Sequence, residues 1–299
     1  MDAPSLVKHR PVDHTRTRFE DVARQKDDTL DVALGAALLS RDVYPDLDVN
    51  HVLAELDRLA APLFSARLEE FSAEEQARAL KDVLFGTSGA GFRGNETDYY
   101  DPKNSLLSDV LSRRVGIPLT LAIVYCEVAR RVGIPARGVG FPGHFLVRIE
   151  RTGQGLSRPL VIDPFFGGRA LEDEELRARL VRVLGAEASE AADIPSHLTA
   201  ASPRSILVRM LTNLKAIYLT RNERSRAHLA VDRIASLLPL AAGPLVERGV
   251  LASQLGARDS AESDLTRALS MHPTDAEERM ARGELEKLSK LEKRPSSLN

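Results

Sequence analysis

The hydrophobic period changes once between residues 118 and 149, and that change constrains the fold more than any other feature of the chain. From Pro118 to Arg131 the apolar residues Leu121, Val124, Tyr125 and Val128 recur at helical spacing. Pro118 suits the first helical position, where its missing N–H would have been unpaired in any case. After Gly133-Ile134-Pro135 the period becomes two: Val139, Phe141, Phe145, Val147 and Ile149 are all odd-numbered, the alternation of a strand. Leu160-Val161-Ile162 adds a second apolar run, and Gly153 with Gly155 predicts a hairpin turn between the two. A helix followed by antiparallel strands makes the local class α+β.

Upstream, the chain reads as helical. Residues 1–16, with Pro4, Pro11 and little apolar periodicity, predict a loose arm. Leu30, Ala33, Leu34, Ala37 and Leu38 share one helical face, and Val52, Leu53, Leu56 and Leu59 share another. Ser72 and Glu75 have the spacing of a capping box at the start of a third helix. Gly86 to Asn95 is glycine-rich but lacks the Lys-Ser/Thr pair and preceding strand of a phosphate loop, so it predicts a flexible connector. Asn104 or Ser105 is expected to cap a short helix carrying Leu107, Val110 and Leu111 inward.

Downstream, residues 171–184 form a charged amphipathic pattern, and Pro195 and Pro203 mark a linker. Beyond it, helical starts at Ile206 and Pro244, and at Arg224 and Asp259, repeat at spacings close to the 34-residue tetratricopeptide period. Gly249, Ala252, Gly256 and Ala268 are small enough for the close helix packing such repeats need.

Forty-one basic against 43 acidic residues leave a formal charge of −2, so no global basic field gathers nucleic acid. The single cysteine, Cys126, forms no intrachain disulfide, and His9, His14, His51, His197, His228 and His272 share no metal-ligand spacing. No metal or other cofactor is expected. The first residues carry no secretory signal pattern, and no apolar run approaches the roughly 20 residues that span a bilayer. The chain is therefore read as cytoplasmic, without a membrane partner.

Two residues of the α+β segment can carry chemistry together. His144 stands at the mouth of a strand, and Asp163 ends an apolar run 19 residues later. A carboxylate bonded to one ring nitrogen fixes the tautomer and raises the basicity of the other, the orienting half of a catalytic triad. The same pair can equally serve as a hydrogen bond that locks a sheet. Arg113-Arg114 and Arg130-Arg131 suit an acidic partner or phosphate, or simply complement helix C-termini, and Glu127 is spaced to pair with Arg130 or Arg131.

Five blocks together resemble the bacterial SirB-one family: Asn104-Ser105-Leu106-Leu107, the run from Arg113 to Leu121, the run from Ala129 to Pro135, Pro142-Gly143-His144-Phe145, and Ile162-Asp163-Pro164-Phe165. The resemblance implies a papain-like, transglutaminase-like core over residues 17–195, then an all-α tetratricopeptide-like domain over 203–290 and a tail over 291–299. It implies a nucleophile-bearing helix packed against a sheet that supplies His144 and Asp163. In active transglutaminase-like enzymes a cysteine opens that helix, about 15 residues before the Gly-Ile-Pro element, where amide dipoles favour thiolate. Pro118 occupies that place here. Cys126 lies eight residues further on, about 12 Å along the helix, and reads as a small buried hydrophobe. Thr120 is nearer, but a hydroxyl without a base is a poor nucleophile.

Two functional readings stay open at this point. In one, the fold has kept His144 and Asp163 but lost thiol chemistry, and serves as a protein- or peptide-binding regulatory scaffold, with Asn104, Arg113, Arg114 and Phe141 as binding candidates. In the other, it is an amide hydrolase or acyl transferase using Cys126, Thr120 or a water activated by His144.

Overall fold

The computed structural model describes residues 13–151, 158–185 and 193–292. A short helix, α1 (Phe19–Ala23), precedes two helices whose first residues follow an aspartate cap. Asp31 accepts from the Leu34 amide to start α2 (Val32–Arg41), and Asp48 accepts from the Asn50 amide to start α3 (Val49–Ala60); each bond satisfies an amide that the helix itself leaves unpaired. The capping box predicted at Ser72 and Glu75 is formed at the start of α4 (Ala73–Phe85). Of the arm expected over residues 1–16, residues 13–16 are described, and they are tied to α3: the His14 amide donates to Asn50 Oδ1 and Asn50 Nδ2 to Asp13 Oδ1.

The glycine-rich connector is a built element. Ala90 and Phe92 amides return to the Val83 and Leu84 carbonyls, and β1 (Arg93–Gly94) pairs in parallel with β2 (Val115–Gly116). Gly94 is required there, since a Cβ would stand 2.6 Å from the Phe165 ring. Neither Asn104 nor Ser105 caps α5 (Leu107–Arg113), whose N-cap is Leu106 without a side-chain bond. Both lie in the single turn Pro102–Ser105, and Asn104 uses its amide to bind the Asp98 and Tyr99 carbonyls. Leu107, Val110 and Leu111 are buried as expected.

The helix α6 (Pro118–Arg131) runs through the middle of the core, with Leu121, Val124, Tyr125 and Val128 all essentially inaccessible. The antiparallel sheet packed against it has the order β3 (Ala136–Val139), β4 (Leu146–Ile149), β5 (Leu160–Asp163), β6 (Arg169–Leu171). The odd-numbered alternation is not one strand. Phe141-Pro142-Gly143-His144 is a turn closed by the His144 amide on the Phe141 carbonyl, with Gly143 at φ +69°, the Pro-Gly arrangement of a type II turn. The turn folds the chain back and resets the alternation, so Val139 and Phe141 face one side of the sheet and Phe145, Val147 and Ile149 the other. One face packs on α6; the other is covered by α7 (Asp173–Leu184) and the turn Ile194–Leu198. That double cover explains why all four residues of β5 are buried. The turn predicted at Gly153 and Gly155 lies outside the described residues.

Five helices follow: α8 (Pro203–Thr220), α9 (Arg224–Leu237), α10 (Ala242–Gln254), α11 (Arg258–Leu269) and α12 (Asp275–Glu292). The starts of α9 and α11 are 34 residues apart, the tetratricopeptide spacing. The helix α8 begins earlier than the repeat requires, and its first half reaches into the other core: Leu207, Met210 and Leu211 belong to the cluster around α2 and α6. The hairpin of α10 and α11 closes over Gly249, where a Cβ would stand 2.7 Å from Leu265 Cγ. Arg248 staples the array, binding Asp232 of α9 and Asp264 of α11. No described helix is long and apolar enough to cross a membrane.

Candidate functional site

The type II turn delivers His144 to the lip of β4, and the end of β5 delivers Asp163 beside it. His144 Nε2 lies 3.0 Å from Asp163 Oδ1. Asp163 is fully buried and its oxygens are fully engaged: Oδ1 also accepts the Phe165 and Phe166 amides, and Oδ2 accepts Arg179 Nη2 at 2.6 Å. Burial alone would raise the Asp163 carboxyl, but the hydrogen bond and charge of His144, the Arg179 guanidinium and the Phe166 amide outweigh it and hold the group below its ordinary range. An ionised carboxylate only accepts, so in the neutral imidazole the proton sits on Nε2 and Nδ1 carries the lone pair. Nδ1 has no hydrogen-bond partner among the described residues.

Aromatic rings frame the imidazole. Phe166 stacks on it at 18° and Phe165 meets it edge-on at 88°. The series continues through Tyr99 to Tyr100, and Tyr99, Tyr100 and Phe166 are substantially exposed. From the repeats, Arg209 of α8 donates to the His144 carbonyl at 3.0 Å and lies over the Phe145 ring. Burial lowers the Arg209 pKa, against the opposing influence of Tyr99, and no described carboxylate pairs with it. The sequence reading missed both Arg179 and Arg209, because each comes from a helix whose pattern shows only amphipathicity. The Phe165-Phe166 pair after Asp163-Pro164 was the one local signal of the aromatic frame.

The nucleophile candidates sit differently. Pro118 is the buried first residue of α6. Thr120 is buried at the third helical position, and its hydroxyl is committed: Oγ1 donates to the Asn104 carbonyl at 2.7 Å and accepts the Ile117 amide at 3.2 Å. Cys126, partly exposed, lines a cavity of about 300 Å³ with Ile123, Arg137 and Ile206. Burial and the neighbouring Glu127 carboxylate push its thiol up, away from thiolate.

Among the binding candidates, Asn104 and Phe141 are interior, Asn104 holding the 95–104 loop and Phe141 lying in the core beneath α7. Arg113 pairs with Asp101 at 2.9 Å. Arg114 pairs with Glu55 and rests on the Phe92 ring. Arg130 and Arg131 both bind Glu127, and Arg131 also reaches Asp57. Among the described residues, no group of three His, Cys, Asp or Glu side chains is placed to hold a metal ion.

Comparison with known proteins agrees with this architecture. The profile of the Transglutaminase-like superfamily matches residues 50–212, and a tetratricopeptide repeat profile matches residues 214–286. A UPF0162 protein of Xylella fastidiosa is 42% identical over 272 residues, covering 91% of this chain and 94% of the relative. A UPF0162 protein of Pseudomonas aeruginosa is 34% identical over 242 residues, covering 80% and 85%. F-box only protein 21 of Mus musculus is 33% identical over 135 residues, 42% of this chain but 19% of that protein. No solved structure shows significant similarity to the chain. With a transglutaminase-like core followed by tetratricopeptide repeats, and relatives this similar along most of their length, the chain belongs to the UPF0162 family, the SirB-one group expected from its motifs.

Proposed function

We propose that this chain is a non-catalytic transglutaminase-like protein of the cytoplasm that binds a protein or peptide partner in a regulatory or scaffold role. The observation that carries the reading is the imino acid at the start of α6. A proline ring offers no nucleophile at the position where transglutaminase-like chemistry needs a thiol. The two other candidates support it, one hydroxyl being committed to a backbone carbonyl and one thiol being held protonated. The partner-facing surface is the exposed aromatic frame of Tyr99, Tyr100 and Phe166, with Arg209 supplying a cation for a peptide carbonyl or carboxylate. Arg113 and Arg114 are engaged by Asp101 and Glu55, Asn104 holds the loop that carries Tyr99 and Tyr100, and Phe141 closes the turn that carries His144. The repeat profile and the partial likeness to F-box only protein 21 support protein interaction in general and name no partner.

A second reading, amide hydrolysis or acyl transfer, is favoured by one observation: His144 Nδ1 has no partner among the described residues while Asp163 holds the opposite nitrogen, the arrangement of a general base. Purified protein incubated with amide, ester and glutaminyl-peptide libraries separates the two. The expected outcome is no turnover by wild type beyond that of His144→Ala, Cys126→Ala or Thr120→Ala. Turnover that disappears in His144→Ala would establish the enzyme reading and remove the binding-only one.

A further inference from the structure

A cavity of about 300 Å³ opens at the seam where α6, the edge strand β3 and the first turns of α8 meet. Its walls are mostly apolar: Ile123 and Cys126 come from α6, Ile134 and Ala136 lead into β3, and the Phe145 and Ile206 side chains complete the enclosure. An apolar cavity of about 150 Å³ already stays dry and binds benzene, and about 300 Å³ is where ordinary small-molecule sites begin. Burial holds the Cys126 thiol protonated, so it adds a soft apolar contact rather than a charge.

Three charged side chains line the same space, Glu127, Arg130 and Arg137. Glu127 is neutralised twice, by Arg130 at 2.9 Å and by Arg131 at 2.8 Å. Arg137 is different. It is exposed, no described residue hydrogen-bonds or ion-pairs with its side chain, and its positive charge acts on the Cys126 thiol. One cation therefore stands beside an apolar cavity without a counter-ion. A phosphate monoester carries about −1.5 to −2 charge and would leave an excess close to Glu127, whereas a carboxylate brings one charge and matches the guanidinium fork.

We propose that this cavity binds a medium-chain fatty acid, with the carboxylate on Arg137 and the hydrocarbon chain against Ile123, Phe145 and Ile206. The ligand would touch α6, β3 and α8 at once and so bridge the two halves of the chain. None of Tyr99, Tyr100 and Phe166 lines the cavity, so the site is separate from the partner-facing surface described above and does not depend on it.

The test is titration calorimetry on the full chain with octanoate, 1-octanol and butanoate. Octanoate is expected to bind saturably. Butanoate, four methylenes shorter, should bind about a hundredfold more weakly or worse, and 1-octanol, which lacks the charge, at least about tenfold more weakly. Arg137→Gln, at an exposed side chain that bonds to no described residue, should bring octanoate down to the level of 1-octanol and leave 1-octanol unchanged, with folding checked by circular dichroism. The single thiol gives a second readout, because saturating octanoate should slow alkylation of Cys126 by N-ethylmaleimide at least about tenfold, the access lost when the cavity is filled. Absence of saturable octanoate binding, equal binding of octanoate and 1-octanol, undiminished octanoate binding to folded Arg137→Gln, or an unchanged alkylation rate at saturation would each overturn the proposal.

Discussion

Leu207 of α8 lies so closely over Gly35 of α2 that a methyl group on Gly35 would stand 2.5 Å from Leu207 Cδ1. The first helix of the repeat half is thus part of the core of the transglutaminase-like half, together with Met210 and Leu211. Removing residues 203–299 takes six buried side chains, Leu207, Met210, Leu211, Ala230, Ile234 and Leu237, out of that core, and a single Leu or Met truncation already costs about 2–5 kcal/mol against a typical total of about 5–15 kcal/mol. The shortened chain is expected to lose its cooperative thermal transition, while removal of residues 242–299 is expected to retain one. A sharp melt after the cut at 203 would show that the first half closes without α8 and α9.

Thr120→Val keeps the shape of the side chain and removes its hydroxyl. The Asn104 carbonyl and the Ile117 amide would then lie buried without that partner. A loss of about 1–3 kcal/mol in urea-induced unfolding is expected, with Thr120→Ser largely restoring it. If Val were tolerated without measurable loss, the hydroxyl would not be holding the start of α6 to the 95–104 loop.

The depressed Asp163 carboxyl sets a direction for acid sensitivity. Because its folded pKa lies below the unfolded value of about 3.9, the unfolded chain takes up the proton first. The stabilisation is present above that pH and is lost as pH falls through the folded pKa. Asp163→Asn breaks a buried pair with Arg179, so a destabilisation of about 3 kcal/mol or more is expected at pH 7. The difference from wild type should shrink toward pH 3. Urea midpoints at the two pH values decide it; an equal gap at both would mean that the charge of Asp163 contributes nothing.

Pro118→Cys in a Cys126→Ala background tests where the missing nucleophile would have stood. If position 118 stands beside the His144 imidazole, a thiol there, at the N-terminus of α6, should have its pKa lowered to about 7.5 or below, read from the pH dependence of iodoacetamide alkylation. Adding His144→Ala should move that profile upward. An ordinary thiol pKa near 8.5, unmoved by His144→Ala, would separate position 118 from the His144 site.

Local rules made much of this fold legible in the sequence. The capping box at Ser72 and Glu75, the buried stripe of α6 and the His144–Asp163 pairing all follow from short-range spacing. The reading failed where a turn hides inside a continuing pattern. The odd-numbered apolar residues continue in phase on either side of Gly143, yet Pro142-Gly143 reverses the chain there and sends the two parts to opposite faces. It failed also where one residue depends on a distant one: Asn104 serves the loop before it rather than the helix after it, and Arg93-Gly94, at the end of the glycine-rich stretch, makes a strand only because β2 is there to pair with. Arg179 and Arg209 illustrate the same limit, since no spacing rule connects a guanidinium on a surface helix to an imidazole in a turn.

The bond from Arg209 to the His144 carbonyl spans 65 positions of sequence. The bearing of that imidazole is consequently governed from downstream, by a helix outside the sheet that carries it. Any recombination that grafts a different repeat array onto this core must join the chains after α8; a seam placed before it would hand the ring to a stranger.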